Sequence, residues 1–472
     1  MKTPVRAILL APVATTLLAC CTAPAVGAAD QRPPNIVYIL ADDLGYADLS
    51  CYGQRKFQTP QLDRLADGGM RFTQHYSGST VCAPSRCALM TGRHTGNCQV
   101  RGNQPHEPVG QYPLAEGTLT VASLLQRNGY ATGAFGKWGL GFPGGPGAPL
   151  EQGFDRFYGY NCQRNAHNYY PDQLYSDDQI VQLDGATYSH DLIVAQAFAF
   201  IRENREHPFF CYLPVTIPHS ALQAPPETID RWREVFAAFD PLEDHYTTFF
   251  ETTVVNPVAA YAAMVTRLDA DVGRLLDLLD ELGIREHTLI LFSSDNGPAA
   301  AGGNQPAFWN SNGPFRGIKR DLYEGGIRVP LIAYWPGTVP AGSVSDHLSA
   351  QWDLLPTVAE LIGVDLDTEI DGISMLPTLA GRPREQAQHD YLYWEFGRKG
   401  GRQALRSGPW KAVRNDTLSN PDAPIELYNV IADPGENYDF AEARPEVRAR
   451  MKAFFDAART PHPVFPLFEK TE

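Results

Sequence analysis

Short, unbroken apolar runs recur along the chain, separated by longer stretches in which apolar residues return every three or four positions. Asn35-Ile-Val-Tyr-Ile-Leu40 is the clearest run, and it leads into Ala41-Asp42-Asp43. A run that is apolar on both faces predicts a strand buried on both sides, here presenting two carboxylates at its C-terminal end. Similar runs lie at Ala131–Phe135, Phe209–Val215, Leu289–Phe292 and Val329–Tyr334. Helical spacing marks Gln61–Gly68, Leu119–Asn128, Leu192–Asn204 and Ala260–Leu282. Strands alternating with helices predict an α/β fold with a large, mostly parallel central sheet flanked by helices. Ligands of such sheets bind beyond the carboxyl ends of the strands. Asp42, Asp43, Asp295 and Asn296, each following a strand, therefore belong to one rim.

The pattern changes near residue 386. Tyr391–Trp394, Gln403–Arg406, Trp410–Val413 and Leu427–Val430 are short alternating segments, and Glu446–Ala457 is helical in spacing. This predicts a small antiparallel sheet with a closing helix. The chain thus divides into a leader (1–29), a catalytic domain (30–385) and a C-terminal α+β subdomain (386–472).

The leader changes the picture of where the protein works. Lys2 and Arg6 precede an apolar stretch, Ile8–Leu18, too short to anchor in a bilayer. Leu17-Leu18-Ala19-Cys20 has the form of a bacterial lipobox, with Cys20 as the residue to be lipidated; Gly27-Ala28-Ala29 offers a competing cleavage site. Either route predicts export, to the periplasm, the outer membrane as a lipoprotein, or the medium. Export permits disulfides among the eight cysteines, but their spacing assigns no pairing and forms no C-x-x-C metal motif. The net charge of −15 argues against nucleic acid. It does not exclude an anionic substrate, because a few cations govern the field inside a cleft.

The sharpest chemical signal is Cys82-Ala83-Pro84-Ser85-Arg86, followed by Leu89-Met90-Thr91-Gly92-Arg93. On its own Cys82 would read as a small buried thiol. Paired oxygen donors at two strand ends would read as turns, or as ligands of one hard cation, calcium or magnesium ahead of zinc. Together with Gly136-Lys137-Trp138, Pro218-His219, Ser294-Asp295-Asn296-Gly297, Lys319, Glu324-Gly-Gly-Ile-Arg-Val-Pro330 and Gly408-Pro409-Trp410-Lys411, the motif resembles the type I, formylglycine-dependent sulfatases of the alkaline-phosphatase-like superfamily. The resemblance covers nearly the whole chain after the leader.

The resemblance implies that a separate maturing enzyme oxidises Cys82 to formylglycine (3-oxoalanine), whose hydrate is the nucleophile. It implies one calcium ion held by Asp42, Asp43, Asp295, Asn296 and the modified Cys82. Arg86, Lys137 and Lys319 would hold the nucleophile and the sulfate, and His219 or Lys319 would protonate the leaving alcohol. The second hydroxyl of the hydrate would let sulfate depart without attack on sulfur. The expected substrate is a sulfated carbohydrate or another small sulfate ester. One position departs from the pattern: the family commonly reads Gly-Lys-Trp-His-Leu-Gly, and here Gly139 replaces the histidine. His167, on a predicted loop, is the candidate to supply that imidazole or to touch substrate; His190 is a second candidate. Two other functions stay open at this point. One is a phosphate or phosphonate ester hydrolase of the same superfamily, and the other is a non-catalytic sugar- or ion-binding lipoprotein.

Overall fold

The computed structural model describes residues 32–247 and 251–468, together with 1 and 4; the rest of the leader, Cys20 included, lies outside them. Ten strands form the main sheet, in the spatial order Ser343–Ser345, Met70–Phe72, Leu331–Tyr334, Thr288–Ser294, Asn35–Ala41, Phe209–Pro214, Ala131–Lys137, Arg156–Tyr160, Gln173–Ser176 and Gln179–Gln182. The run from Thr288–Ser294 to Arg156–Tyr160 is parallel throughout, antiparallel pairs follow on both sides, and the edge strand Ser343–Ser345 pairs parallel with Met70–Phe72. The five apolar runs read from the sequence all form strands of this sheet. Val329–Tyr334 shortens to Leu331–Tyr334 and runs antiparallel, a direction that apolar content cannot encode.

Period-two alternation divides the central strand between two cores. Val37, Ile39 and Ala41 face one, beneath the long helix Pro257–Glu281 and the helix Ser189–Glu203. Ile36, Tyr38 and Leu40 face the other, shared with the helices Cys82–Thr91, Val121–Arg127 and Leu354–Leu361. Every residue of Cys82–Thr91 is buried.

The tail forms the antiparallel sheet Leu392–Phe396, Arg402–Ser407, Trp410–Asn415 and Glu426–Asn429, in chain order. Tyr393, Leu405, Ala412 and Leu427 point to Met451 and Phe455 of the helix Pro445–Ala457. Trp394, Ala404, Val413 and Tyr428 point the other way, onto Tyr76, Val81, Ala88 and Trp352. This sheet therefore backs the start of the Cys82 helix. The six described cysteines are all free, and among the described residues no helix is long and apolar enough to cross a membrane.

Candidate active site

Parallel register brings the two acidic strand ends together. Ala41 pairs with Ser294, so Asp42-Asp43 and Asp295-Asn296 leave the sheet side by side. Asp43 takes a left-handed φ of 65°, a conformation that Asp tolerates better than most residues. Its N–H donates to Asp295 Oδ1 at 3.2 Å, and Leu44 N–H donates to Ser294 Oγ at 3.0 Å. Lys137 ends the strand Ala131–Lys137, which lies beyond Phe209–Pro214 in the sheet. Cys82 is the first residue of its helix, at the positive end of the helix dipole. Pro84, in the first turn, has no N–H to leave unpaired, and Ala83 N–H is taken by Asn103 Oδ1 at 3.0 Å.

The predicted site residues converge on one buried centre. Arg86 Nη2 bridges Asp42 Oδ2 (3.2 Å) and Asp295 Oδ2 (2.9 Å), while its Nη1 donates to Lys137 O. Lys137 Nζ lies 2.5 Å from Asp42 Oδ2. Lys319 Nζ reaches Asp43 Oδ1 (2.6 Å), Cys82 Sγ (3.4 Å) and His219 Nε2 (3.2 Å). Cys82 Sγ is 3.5 Å from Asp42 Oδ1. His219 Nδ1 is engaged by Ser220 O, so the neutral ring turns an Nε2 lone pair toward Lys319.

Burial and pairing compete at each group. Burial opposes charge on Asp42, yet Lys137, His219, Arg86 and Lys319 hold it well below the usual carboxylate range. Lys319, then His219, lowers Asp43 against its burial. Burial, then the charge of Asp42, raises Asp295 to about 6. Burial, reinforced by Asp42, pushes the Cys82 thiol up to about 12, and burial lowers His219 to about 4. The unmodified thiol is thus a neutral group, and His219 is a neutral imidazole at ordinary pH.

The centre has room for a hard cation. Single donor atoms of Asp42, Asp43, Cys82 and His219 lie within 4.8 Å of one another. Asp43 Oδ2 and Asn296 Oδ1 are buried and accept no hydrogen bond; Asp43 Oδ2 lies 3.4 Å from Nε2 of the neutral His219. Bare acceptors beside further carboxylates fit an oxygen-loving divalent ion.

Above this floor opens a cavity of about 390 Å³. His167 lines it, with its ring edge-to-face on His219 (4.7 Å between centroids) and stacked on Tyr246 (5.5 Å). Burial, then His219, lowers His167 to about 3, and its Nδ1 lies 3.0 Å from Arg164 O. His190 does not join the site; it is buried against Asp271 at 2.6 Å. Tyr169 is fully buried and donates to the carbonyls of Thr216 and His219, so it fixes the His219 loop. Asn103, Gln163, Ser220, Tyr246, Arg320 and Lys399 line the cavity without having been singled out from the sequence. Tyr246 lies on the strand Glu243–Thr247 and the others on loops, with Ser220 and Arg320 directly following His219 and Lys319.

A model of the Sulfatase family matches residues 34–364, and one for the N-sulphoglucosamine sulphohydrolase C-terminal region matches residues 316–459. The chain belongs to the sulfatase family. Human arylsulfatase A is 35% identical over 460 residues, covering 91% of this sulfatase and 88% of the relative. Human N-acetylgalactosamine-6-sulfatase is 31% identical, covering 89% and 84%. The crystal structure of Ps i-CgsB superposes with a TM-score of 0.77 at 29% identity, covering 90% of this sulfatase and 92% of that chain; it has also been solved in complex with k-i-k-neocarrahexaose. The large central sheet and small antiparallel tail sheet are those of these enzymes, as the sequence pattern predicts.

Proposed function

We propose that this sulfatase removes sulfate from a sulfated carbohydrate, with Cys82, oxidised to formylglycine by a maturing enzyme, as the source of the nucleophile. The observation that carries this reading is the convergence of Cys82, three carboxylates and three fixed cations on the floor of one cavity. The relative named N-acetylgalactosamine-6-sulfatase and the oligosaccharide complex of Ps i-CgsB support a sugar ester. Asp42, Asp43, Asp295 and Asn296 would hold calcium, which when bound supplies Lewis-acid polarisation of the ester. The aldehyde hydrate would supply one hydroxyl for attack and a second for release of sulfate.

The chain's own residues do the rest. Arg86 locks the two metal-side carboxylates in place, and Lys137 neutralises Asp42 beside the nucleophile. Fixed cations in a dry site favour the charge that develops on the transferring group, because they need no reorganisation as it forms. Lys319 and His219 share the leaving-group side. Because the neutral His219 presents a lone pair, the proton for the departing alcohol starts on Lys319 and reaches it directly or through His219 Nε2. The leader supports an exported enzyme, anchored by lipid at Cys20 or released after Ala29.

Peptide mass spectrometry of protein purified from its native host tests the reading. The Cys82 peptide should carry the mass of the aldehyde or its hydrate; an unmodified thiol there would remove the proposed nucleophile. Rates on matched aryl sulfate and aryl phosphate esters should favour the sulfate, and the reverse preference would reassign the enzyme to phosphoester chemistry.

A further inference from the structure

Gln163 is buried in the wall of the cavity that holds Cys82, His219 and Lys319, and neither its Nε2 nor its Oε1 has a hydrogen-bond partner. Its position follows from strand register. Lys137 pairs with Tyr160, and the two chains stay together beyond the sheet. Trp138 N–H donates to Tyr160 O at 2.9 Å, and Gly139 N–H donates to Asn161 O at 3.0 Å. This continuation sets the Gln163 side chain over Gly139. A Cβ at residue 139 would lie 2.0 Å from Gln163 Nε2, and the backbone there has a φ of +78°, which disfavours any side chain. Glycine at 139 is therefore what admits the carboxamide. Buried amides are almost always paired, so one that faces an active-site cavity with both ends free is set up for a ligand.

We propose that Gln163 is a substrate-binding residue of this enzyme, donating Nε2–H to a sulfuryl oxygen of the bound ester from the place left open by Gly139. The inference rests on the sulfate-ester reading above. A carboxamide differs from the imidazole of the common motif in one respect that matters here. It can hold an oxygen but cannot release or take up a proton near neutral pH. Gln163 then positions the sulfuryl group, and proton transfer stays with Lys319 and His219.

The test uses the matured, calcium-loaded enzyme and its Gln163→Ala, Gln163→Glu, Gly139→Ala and Gly139→Ala/Gln163→Ala variants. The readouts are kcat/KM on an aryl sulfate, the inhibition constant of inorganic sulfate, and the melting temperature. Loss of one donor to the transferring group should lower kcat/KM by roughly 10²-fold. It should also weaken sulfate inhibition about 10-fold, with the melting temperature near that of the parent. Gln163→Glu should be worse than Gln163→Ala, because a carboxylate repels sulfate. Gly139→Ala, which displaces the carboxamide, should lose activity alone and add little in the Gln163→Ala background. Parent-like kcat/KM and sulfate inhibition in Gln163→Ala would overturn the proposal. So would a fall in kcat/KM that tracks lost melting temperature while sulfate inhibition is unchanged. A parent that turns over no sulfate ester is a separate result; it would overturn the proposed chemistry and this inference with it.

Discussion

Two clusters of buried charge sit in this sulfatase, built from the same materials and arranged to opposite ends. In the first, Asp42, Asp43 and Asp295 meet Arg86, Lys137 and Lys319 beneath an open cavity, and acceptor atoms of Asp43 and Asn296 are left bare. In the second, Glu324 and Glu436 are closed in by the tail. Tyr76 OH donates to Glu324 Oε2 at 2.6 Å, Arg328 lies 3.0 Å from the same oxygen, and Arg406 lies 3.5 Å from it. Lys411 Nζ sits 3.1 Å from Glu324 and 3.2 Å from Glu436, whose other oxygen accepts Glu324 N–H at 2.7 Å. The second cluster is aimed at itself and fastens the segment Glu324–Ile327 to the tail sheet. The difference teaches that burial and pairing alone do not mark a site. Nor do bare atoms, since Lys411 Nζ, Glu324 Oε1 and Glu436 Oε1 form ion pairs but no hydrogen bond; what marks the site is that its charged groups open onto a cavity.

The largest effect should separate the clusters by kind. Cys82→Ala should abolish turnover, a loss on the order of 10⁴-fold or more, while leaving the melting temperature near that of the parent; retained turnover would break the assignment of the first cluster. Glu324→Ala should do the reverse. It strands Lys411, Arg406 and Arg328 in the interior at a cost of about 3–5 kcal/mol, read as a lower urea midpoint or loss of soluble protein. Unchanged stability would show that the second cluster is not a fastening.

Metal removal sharpens the same contrast. Chelation should lower the melting temperature and added calcium should restore it, a stabilisation of about 2.7 kcal/mol when the ion stands at 100 times its dissociation constant. Asp43→Asn should lose that calcium response and Glu436→Gln should keep it. A response retained in Asp43→Asn would move the ion elsewhere.

The smallest effect is a pH dependence next to the second cluster. Burial lowers His75 to about 3 although its Nδ1 lies 3.0 Å from Ser349 Oγ. The unfolded chain therefore binds a proton at pH values where the folded one does not. The stability from His75 is complete above the unfolded value of 6.5 and falls as the solution is acidified toward 3, by at most about 1.4 kcal/mol per pH unit. His75→Gln should flatten this slope in urea titrations between pH 6.5 and 5.5 without altering turnover at neutral pH. An identical slope would exclude His75 as its source.

The sequence was legible where one physical rule dominates. Continuous apolar runs such as Asn35–Leu40 have no stable place except the middle of a covered sheet. The edge strand Gln179–Gln182 escaped notice because it is short, polar and largely exposed. The acidic rim was legible because paired donors follow strands whose register is fixed by the same apolar residues. Gln163 was not, because an amide in a loop gains meaning only from the glycine it packs on, which is far away in the chain. The resemblance also ran past function: Glu324 and Lys411 lie in matched motifs as surely as Lys319 does, yet only the fold shows that they join halves of the molecule.

The helix Cys82–Thr91 is buried along its whole length, and the tail sheet packs against its first turns. Those tail strands are synthesised long after Cys82. The maturing enzyme proposed above, gripping the chain around Cys82, would find no access once they have docked. The proposed chemistry thus depends on a schedule: the segment must be altered while still extended, between its emergence and the arrival of the C-terminal strands. A variant that folds faster could be more stable and less active for that reason alone.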